Sequence, residues 1–497
     1  MTALTGITYA AACNDPALFG PWFEGKSWTT WRVLDKALFG LPLDTDELAI
    51  FHELTGHEEA PTEPAEEAWL ICGRRSAKTV KAASLGTYLG TIGPEQYGWR
   101  ERLTRGERGV VQILAVDRAQ ARVGLNYIRA FFEQPLLAPL VERETQDGIE
   151  LRNGFAIEVA TNDKRRVRGR TVCAAIFEEV AHWRSEESIS PDEETYRAVK
   201  PAMATIPNSL LIGISSPYSR RGLLFRKFSA HYGKAGPILI VKAPTIVMNP
   251  SVDRKVIDDA YAADPIAAAA EYGAEFRGDV ETFLTVEAIR ACIQPGVRER
   301  PPERQHHYVG FVDPSGGSAD AFTLAIAHAE GDHEQRTAIL DLVREVKPPF
   351  SPEGVTQEFA DTLRSYRITK VHGDRYAGEW PREQFRKHGV NYEPSDRNKS
   401  EIYIDLLPLI NSRGVDLLDH DRIVNQLIGL ERRTARGGRD SIDHAPGAHD
   451  DLANAVAGAL TLANRKSSGL QRREGPIKVL NRPASACWSP PDVQWVN

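Results

Sequence analysis

Trp69-Leu70-Ile71-Cys72-Gly73-Arg74-Arg75-Ser76-Ala77-Lys78-Thr79 is the stretch on which the reading of this chain turns. An unbroken apolar run ends in a short basic loop, and a helical pattern carrying Val80, Ala83, Leu85 and Leu89 follows. Apolar runs without polar alternation suit strands buried on both faces, as in a parallel sheet covered by helices. The loop matches G-x-x-x-x-G-K-[ST] at Lys78-Thr79, while Cys72 and Ala77 stand where that pattern has glycine. In such a loop the backbone N–H groups and the helix dipole hold phosphates, the lysine neutralises β/γ charge and the hydroxyl ligates Mg²⁺. Gly73, Arg74, Arg75, Ser76, Ala77, Lys78 and Thr79 are therefore the candidate ATP-binding set. The plainer alternative is a basic turn at the start of an ordinary helix.

Working outward, further apolar runs at Val110–Val116, Cys173–Phe177, Leu210–Ile214 and Ile238–Val241 alternate with helical patterns, which predicts an α/β domain with a mostly parallel sheet. Ile149–Leu151 and Phe155–Val159, alternating around Asn153-Gly154, predict a β-hairpin. The run from Cys173 ends in Glu178-Glu179, two acids where a P-loop ATPase needs one group to organise magnesium and one to polarise water. That makes Glu178 the metal-side candidate and Glu179 the candidate base. Leu211–Ile214 leads into Ser215-Ser216-Pro217, hydroxyls at a strand end where P-loop motors sense the γ-phosphate.

The carboxy-terminal half has a different order. Tyr308–Val312, Phe322–His328 and Thr337–Val343 predict three successive strands, and then a helix with Val355, Phe359 and Leu363 on one face. A strand at Lys370–Gly373, a helix, a strand near Val390–Glu393 and more helices complete it. Three meandering strands followed by alternating helices and strands is the ribonuclease-H-like order. Asp313 ends the first strand, Asp374 the fourth, and Asp450-Asp451 open a helix. Phosphodiester hydrolysis by two metals wants acids gathered at one point from distant parts of the chain. A site of carboxylates selects hard cations, so Mg²⁺ is expected there and Mn²⁺ is acceptable. Each acid also has a local reading as a turn or N-cap residue.

The remaining chain supplies boundaries. The expected segments are a helical prelude (1–65), a P-loop ATPase domain (66–245), a helical linker (246–304), a ribonuclease-H-like nuclease domain (305–465) and a flexible basic tail (466–497). The chain has 497 residues, 42% hydrophobic and 26% charged, which is globular composition of two or three domains. Its five cysteines lack disulfide or zinc spacing, and no apolar run is long enough for a membrane span. Net charge is −7, which argues against a protein that simply coats DNA. Lys164, Arg165, Arg166, Arg168 and Arg170 nevertheless form a local basic patch able to meet phosphates.

The combination of Gly73–Thr79, Val167-Arg168-Gly169-Arg170, Ile214–Pro217, Asp313–Gly317, Gly373-Asp374-Arg375 and His449-Asp450-Asp451 resembles the large terminase subunit of tailed double-stranded-DNA bacteriophages and prophages. The resemblance extends over roughly residues 20–465. It implies a packaging motor that cuts concatemeric DNA, docks on the portal of a procapsid and drives double-stranded DNA inward with ATP. It further implies a homo-oligomeric ring, a small terminase subunit as partner, and a place in the host bacterial cytoplasm. Arg74 or Arg75 would touch phosphates, Ser215 and Ser216 would couple hydrolysis to movement, and Arg168 would be an arginine finger. Two other readings remain: a non-catalytic DNA-binding packaging protein with a degenerate P-loop, or a recombination or resolvase nuclease with a regulatory nucleotide domain.

Overall fold

Glu67–Cys72 (β1) is buried at every position, as its apolar run requires. In this computed structural model, which describes residues 6–162, 169–184, 188, 190–317, 320–332, 336–374, 380–434, 440–446 and 448–465, it is an interior strand of an eight-stranded sheet. The other strands are Gly109–Ala115 (β2), Val141–Glu144 (β3), Gly148–Leu151 (β4), Phe155–Thr161 (β5), Thr171–Glu178 (β6), Leu210–Ser215 (β7) and Ile238–Ala243 (β8), in the order β3-β4-β5-β2-β6-β7-β1-β8. All pairs from β5 to β8 are parallel, and only the hairpin end is antiparallel. The Asn153-Gly154 reading holds, with Gly154 in the left-handed region at φ 86°.

Strand alternation divides the core. Ala68, Leu70 and Cys72 face the layer that holds the helix Lys78–Thr91 and the amino-terminal helices Tyr9–Asn14, Thr29–Leu38 and Thr45–Thr55. Trp69 and Ile71 face the opposite layer, with Val199 and Met203 of one helix and Leu223 and Leu224 of another. The amino-terminal helices thus complete one face of the sheet.

Val309–Asp313 (β10), Phe322–Glu330 (β11), Thr337–Val346 (β12), Lys370–Gly373 (β13), Asn391–Pro394 (β14) and Val415–Asp416 (β15) form a second sheet, ordered β14-β13-β10-β11-β12-β15. The meander β10-β11-β12 is antiparallel, and β13 and β14 add in parallel beside β10. This is the ribonuclease-H-like arrangement. The helix Asp451–Asn464 lies across β10, β11 and β12, buried along nearly its whole length.

Two expectations need correction. The linker 246–304 does contain the helices Arg254–Ala263 and Pro265–Glu271, but Val280–Thr282 is a strand (β9). It pairs with Leu430–Thr434 (β16), which pairs in turn with Asp440–His444 (β17), in a region read from sequence as helices. Polar, three- to five-residue strands carry too little alternation to be read. Among the described residues, no helix is long and apolar enough to cross a membrane. Arg168 with most of its basic neighbours, and the tail 466–497, lie outside the described residues.

Candidate functional site

The loop after β1 is held in an unusual backbone conformation. Arg75 and Ala77 adopt left-handed backbone, at φ 67° and 62°. A non-glycine residue there carries strain that persists only where its surroundings impose it. The constraints are visible: Thr245 Oγ1 donates to the Arg74 carbonyl (2.8 Å), Asn249 to the Arg75 carbonyl (3.0 Å) and the Trp31 indole to the Ser76 carbonyl (2.9 Å). A Cβ on Gly73 would come within 2.3 Å of Thr245 Oγ1, so glycine is required there. Cys72, at the other departed position, is a buried strand residue whose thiol burial pushes up to about 12.

Lys78 is buried, donating to the carbonyls of Cys72 (3.4 Å) and Gly73 (3.2 Å) and pairing with Glu179 (3.2 Å). Glu179 itself is in left-handed backbone (φ 52°) just past β6. One of its oxygens accepts from the Ser216 N–H (3.0 Å) and hydroxyl (3.1 Å), with Ser215 Oγ at 3.3 Å. Burial opposes its ionisation, but Lys78, His182 and the Ser216 N–H outweigh it and hold its pKa below the usual value. The strand ends of β1, β6 and β7 therefore meet at one carboxylate. Such a group is ionised, oriented and paired with the buried Lys78, which suits it to take a proton from water.

Glu178 points elsewhere and is almost wholly buried. Burial raises its pKa, with hydrogen bonding to Thr79 and Gln120 opposing. Gln120, from the helix Arg118–Phe131, donates to both Thr79 Oγ1 and Glu178 Oε1 at 2.9 Å. Thr79 and Glu178 are thus brought together around one amide, and their oxygens are a hard-cation donor set. Sequence reading missed Gln120, because a glutamine two residues into an exposed helix start carries no signal. Arg74 pairs at the surface with Glu271 (3.1 Å).

The second candidate site gathers Asp313, Asp374, Asp450 and Asp451. Asp313 ends β10, and Asp374 follows the parallel β13 beside it. Asp450 occupies the N-cap position of the helix Asp451–Asn464, yet its side chain makes no cap bond. It accepts instead from Lys399 Nζ (2.8 Å) and Tyr403 Oη (2.7 Å). Lys399 also reaches Asp443 (2.9 Å), and although burial disfavours its charge, Asp450 and Asp443 push its pKa up to about 12. Asp451 accepts from the Ala321 N–H (3.3 Å) and forms a potential cation-binding group with Asp320 and His449. Asp443, His444 and Asp450 form another.

Burial and the neighbouring Asp451, Asp374 and Asp450 push Asp313 up to about 8, against a hydrogen bond from Asn454 (2.8 Å). Among the described residues, Asn454 Oδ1 is buried without a hydrogen-bond partner. Crowded acids beside an unsatisfied carbonyl oxygen fit a hydrated divalent cation, which would neutralise the first and supply a donor to the second. Lys399, Tyr403, Asp443 and Asn454 carried no sequence signal of their own. Their roles come from tertiary placement.

No family model and no curated protein matches the chain. Among solved structures it is similar to the large terminase of bacteriophage HK97, at 14% identity and a TM-score of 0.36, covering 88% of this chain and 100% of that one. It is similar to the large terminase of a thermophilic bacteriophage, at 9% identity and a TM-score of 0.38, covering 88% of this chain and 99% of that one. The large terminase nuclease of the thermophilic phage G20c with bound magnesium matches at 15% identity and a TM-score of 0.30, over 35% of this chain and 95% of that one.

Proposed function

We propose that this chain is the motor and nuclease of viral genome packaging, hydrolysing ATP to move double-stranded DNA into a procapsid and cutting concatemeric DNA with divalent metal. The observation that carries the reading is the pairing, in one chain, of Lys78, buried after β1 and joined to the strand-end carboxylate Glu179, with a crowded acid cluster at the strand ends of a ribonuclease-H-like sheet. At the first site Gly73, Arg74, Arg75, Ser76 and Ala77 wrap the ATP phosphates, and Lys78 neutralises their charge. Thr79 and Glu178 hold Mg²⁺, with Gln120 orienting both. Glu179 takes the proton from the attacking water. Ser215 and Ser216, bonded to Glu179, carry its state into the segment after β7. Arg168 completes the phosphate contacts from a neighbouring subunit of a ring.

At the second site Asp313, Asp374, Asp450 and Asp451 hold Mg²⁺ or Mn²⁺. The bound metal supplies a polarised phosphodiester and a water of lowered pKa. Lys399 and Tyr403 fix Asp450, and Asn454 fixes Asp313, so that the acids are oriented before metal arrives. The portal protein and a small terminase subunit are the proposed partners, in the host cytoplasm during assembly.

The test uses the purified full chain. ATP hydrolysis stimulated by linear duplex DNA, together with nicking of plasmid that requires Mg²⁺ or Mn²⁺ and stops with EDTA, is the expected pair of results. DNA binding without ATP turnover would favour a degenerate packaging protein. Cleavage confined to branched DNA would favour a resolvase. Packaging into purified procapsids completes the case.

A further inference from the structure

We propose that His306, His328 and Glu330 form a binding site for a borderline transition-metal dication, with Zn²⁺ its expected occupant, at the end of the second sheet remote from the acid cluster. Asp313 pairs with Thr323 at one end of β10, and Val309 pairs with Ala327 at the other. His306 precedes that far end, and His328 and Glu330 close β11 beside it. The length of β10, five residues, puts roughly 15 Å between the two ends.

The geometry points to a metal in three ways. First, the ligand atoms of the three residues all lie within 4.8 Å of one another. His328 Nε2 and His306 Nε2 stand 3.3 and 3.5 Å from the same Glu330 oxygen. Four-coordinate zinc with bonds of about 2.0–2.2 Å spaces its ligand atoms by roughly 3.3–3.5 Å. Second, His328 presents its other nitrogen, Nδ1, to Asp341 at 2.7 Å, and both side chains are buried. A carboxylate on the far nitrogen is how metal-bound imidazoles are oriented and made more basic. Third, the two imidazole rings lie 4.1 Å apart, centroid to centroid. Two imidazoles this close, inclined at 43° to each other, would repel as cations, but both can donate lone pairs to one metal. Glu303, 3.7 Å from His306 Nε2, or a water, is available as the fourth ligand. Two imidazoles with carboxylate select zinc, cobalt or nickel over magnesium and calcium. The bound ion would fasten residues 303–308, where the chain enters the second sheet, to β11.

The competing arrangement is a protonated His328 bridging Asp341 and Glu330 with no metal. The experiment loads the full chain with Zn²⁺ in a large excess of Mg²⁺, removes free metal by desalting and counts zinc by mass spectrometry. The expected result is one zinc per chain, lost in Glu330→Gln and in His306→Gln and kept in Asp451→Asn. Glu330 is exposed and His306 half-buried, and a cooperative melt identical to that of the zinc-free wild type verifies that both variants fold. Zinc should raise the melting temperature of the wild type and leave those two variants unmoved. Co²⁺ in place of Zn²⁺ should give the intense visible absorption of a four-coordinate site. Wild-type protein that retains no zinc, or zinc retained by both variants, overturns the proposal.

Discussion

Lys78, Glu179 and Ser216 make a chain of contacts in which each partner sets the next. Glu179→Gln keeps the hydrogen-bond acceptor for Ser216 but removes the base, so ATP binding should persist while turnover falls by about 10²-fold or more. Filter binding and steady-state hydrolysis on the same preparation check both halves. Gln120→Ala removes the amide that ties Thr79 to Glu178 without removing a proposed metal ligand. It should raise the Mg²⁺ concentration that half-saturates the ATPase by about 10–100-fold, the usual scale for an outer partner of a metal ligand. Away from both sites, burial disfavours the charge of Glu67, but Lys227, Tyr196 and Lys200 prevail and lower its pKa to about 2. A depressed carboxylate stabilises the fold above its unfolded pKa, near 4.5, and that contribution is lost as pH falls toward 2. Glu67→Gln leaves Lys227 buried and unpaired, at a cost of about 3–5 kcal/mol near neutrality. Denaturant titrations should show that gap closing between pH 4.5 and 2, where the wild-type group also loses its charge. At this scale the sequence exposed the acids and the lysine, because their types and strand-end positions are chemically suggestive. It hid Gln120, Lys399 and Asn454, whose significance is only what they touch.

The helix Asp451–Asn464 carries Asp451, and Asp450 at its N-cap, into the acid cluster of the second sheet, and its packing sets where those two acids stand. Gly458 faces β10, and a Cβ there would meet the Phe311 ring at 2.4 Å. Gly458→Ala should therefore push the helix off the sheet, costing about 1–3 kcal/mol as overpacking does. DNA cleavage should drop with it while ATP hydrolysis stays at the wild-type rate, because no ligand is removed and the first sheet is untouched. Wild-type nicking by a folded Gly458→Ala chain would show that the helix position is not what orients Asp450 and Asp451. The long apolar strands and this helix were legible because burial on both faces leaves an unmistakable run of Ala, Val, Ile and Leu. Strands β9, β16 and β17 were not, since Val280-Glu281-Thr282 and Leu430-Glu431-Arg432-Arg433-Thr434 carry too many charges to read as strand. Their pairing with each other, anchored by single buried side chains such as Val280, Leu430 and Ile442, is what makes them strands.

Those short strands also join the two halves. Glu431 on β16 is fully buried, and accepts from Tyr218 Oη at 2.5 Å, from Arg221, and from Arg433 at 3.4 Å. Tyr218 lies two residues beyond Ser216, so the segment leaving the ATP-side carboxylate runs directly into a buried acid of the β16–β17 hairpin. On the hairpin's other strand, Asp443 shares Lys399 with Asp450. The two chemistries should nonetheless separate by mutation: Asp374→Asn should abolish nicking with ATPase intact, and Glu179→Gln the reverse, because no proposed ligand is shared. Mechanical coupling is a different matter and rests on the junction. Glu431→Gln preserves shape but leaves Arg221 without its counter-charge, removing about 1–3 kcal/mol of charge-assisted hydrogen bonding from the contact. Differential scanning calorimetry should then resolve one cooperative transition into two, with both halves folded and ATP hydrolysis retained. A thermogram superimposable on the wild type would mean that the strand pairing of β9 with β16, and not the buried carboxylate, holds the halves together.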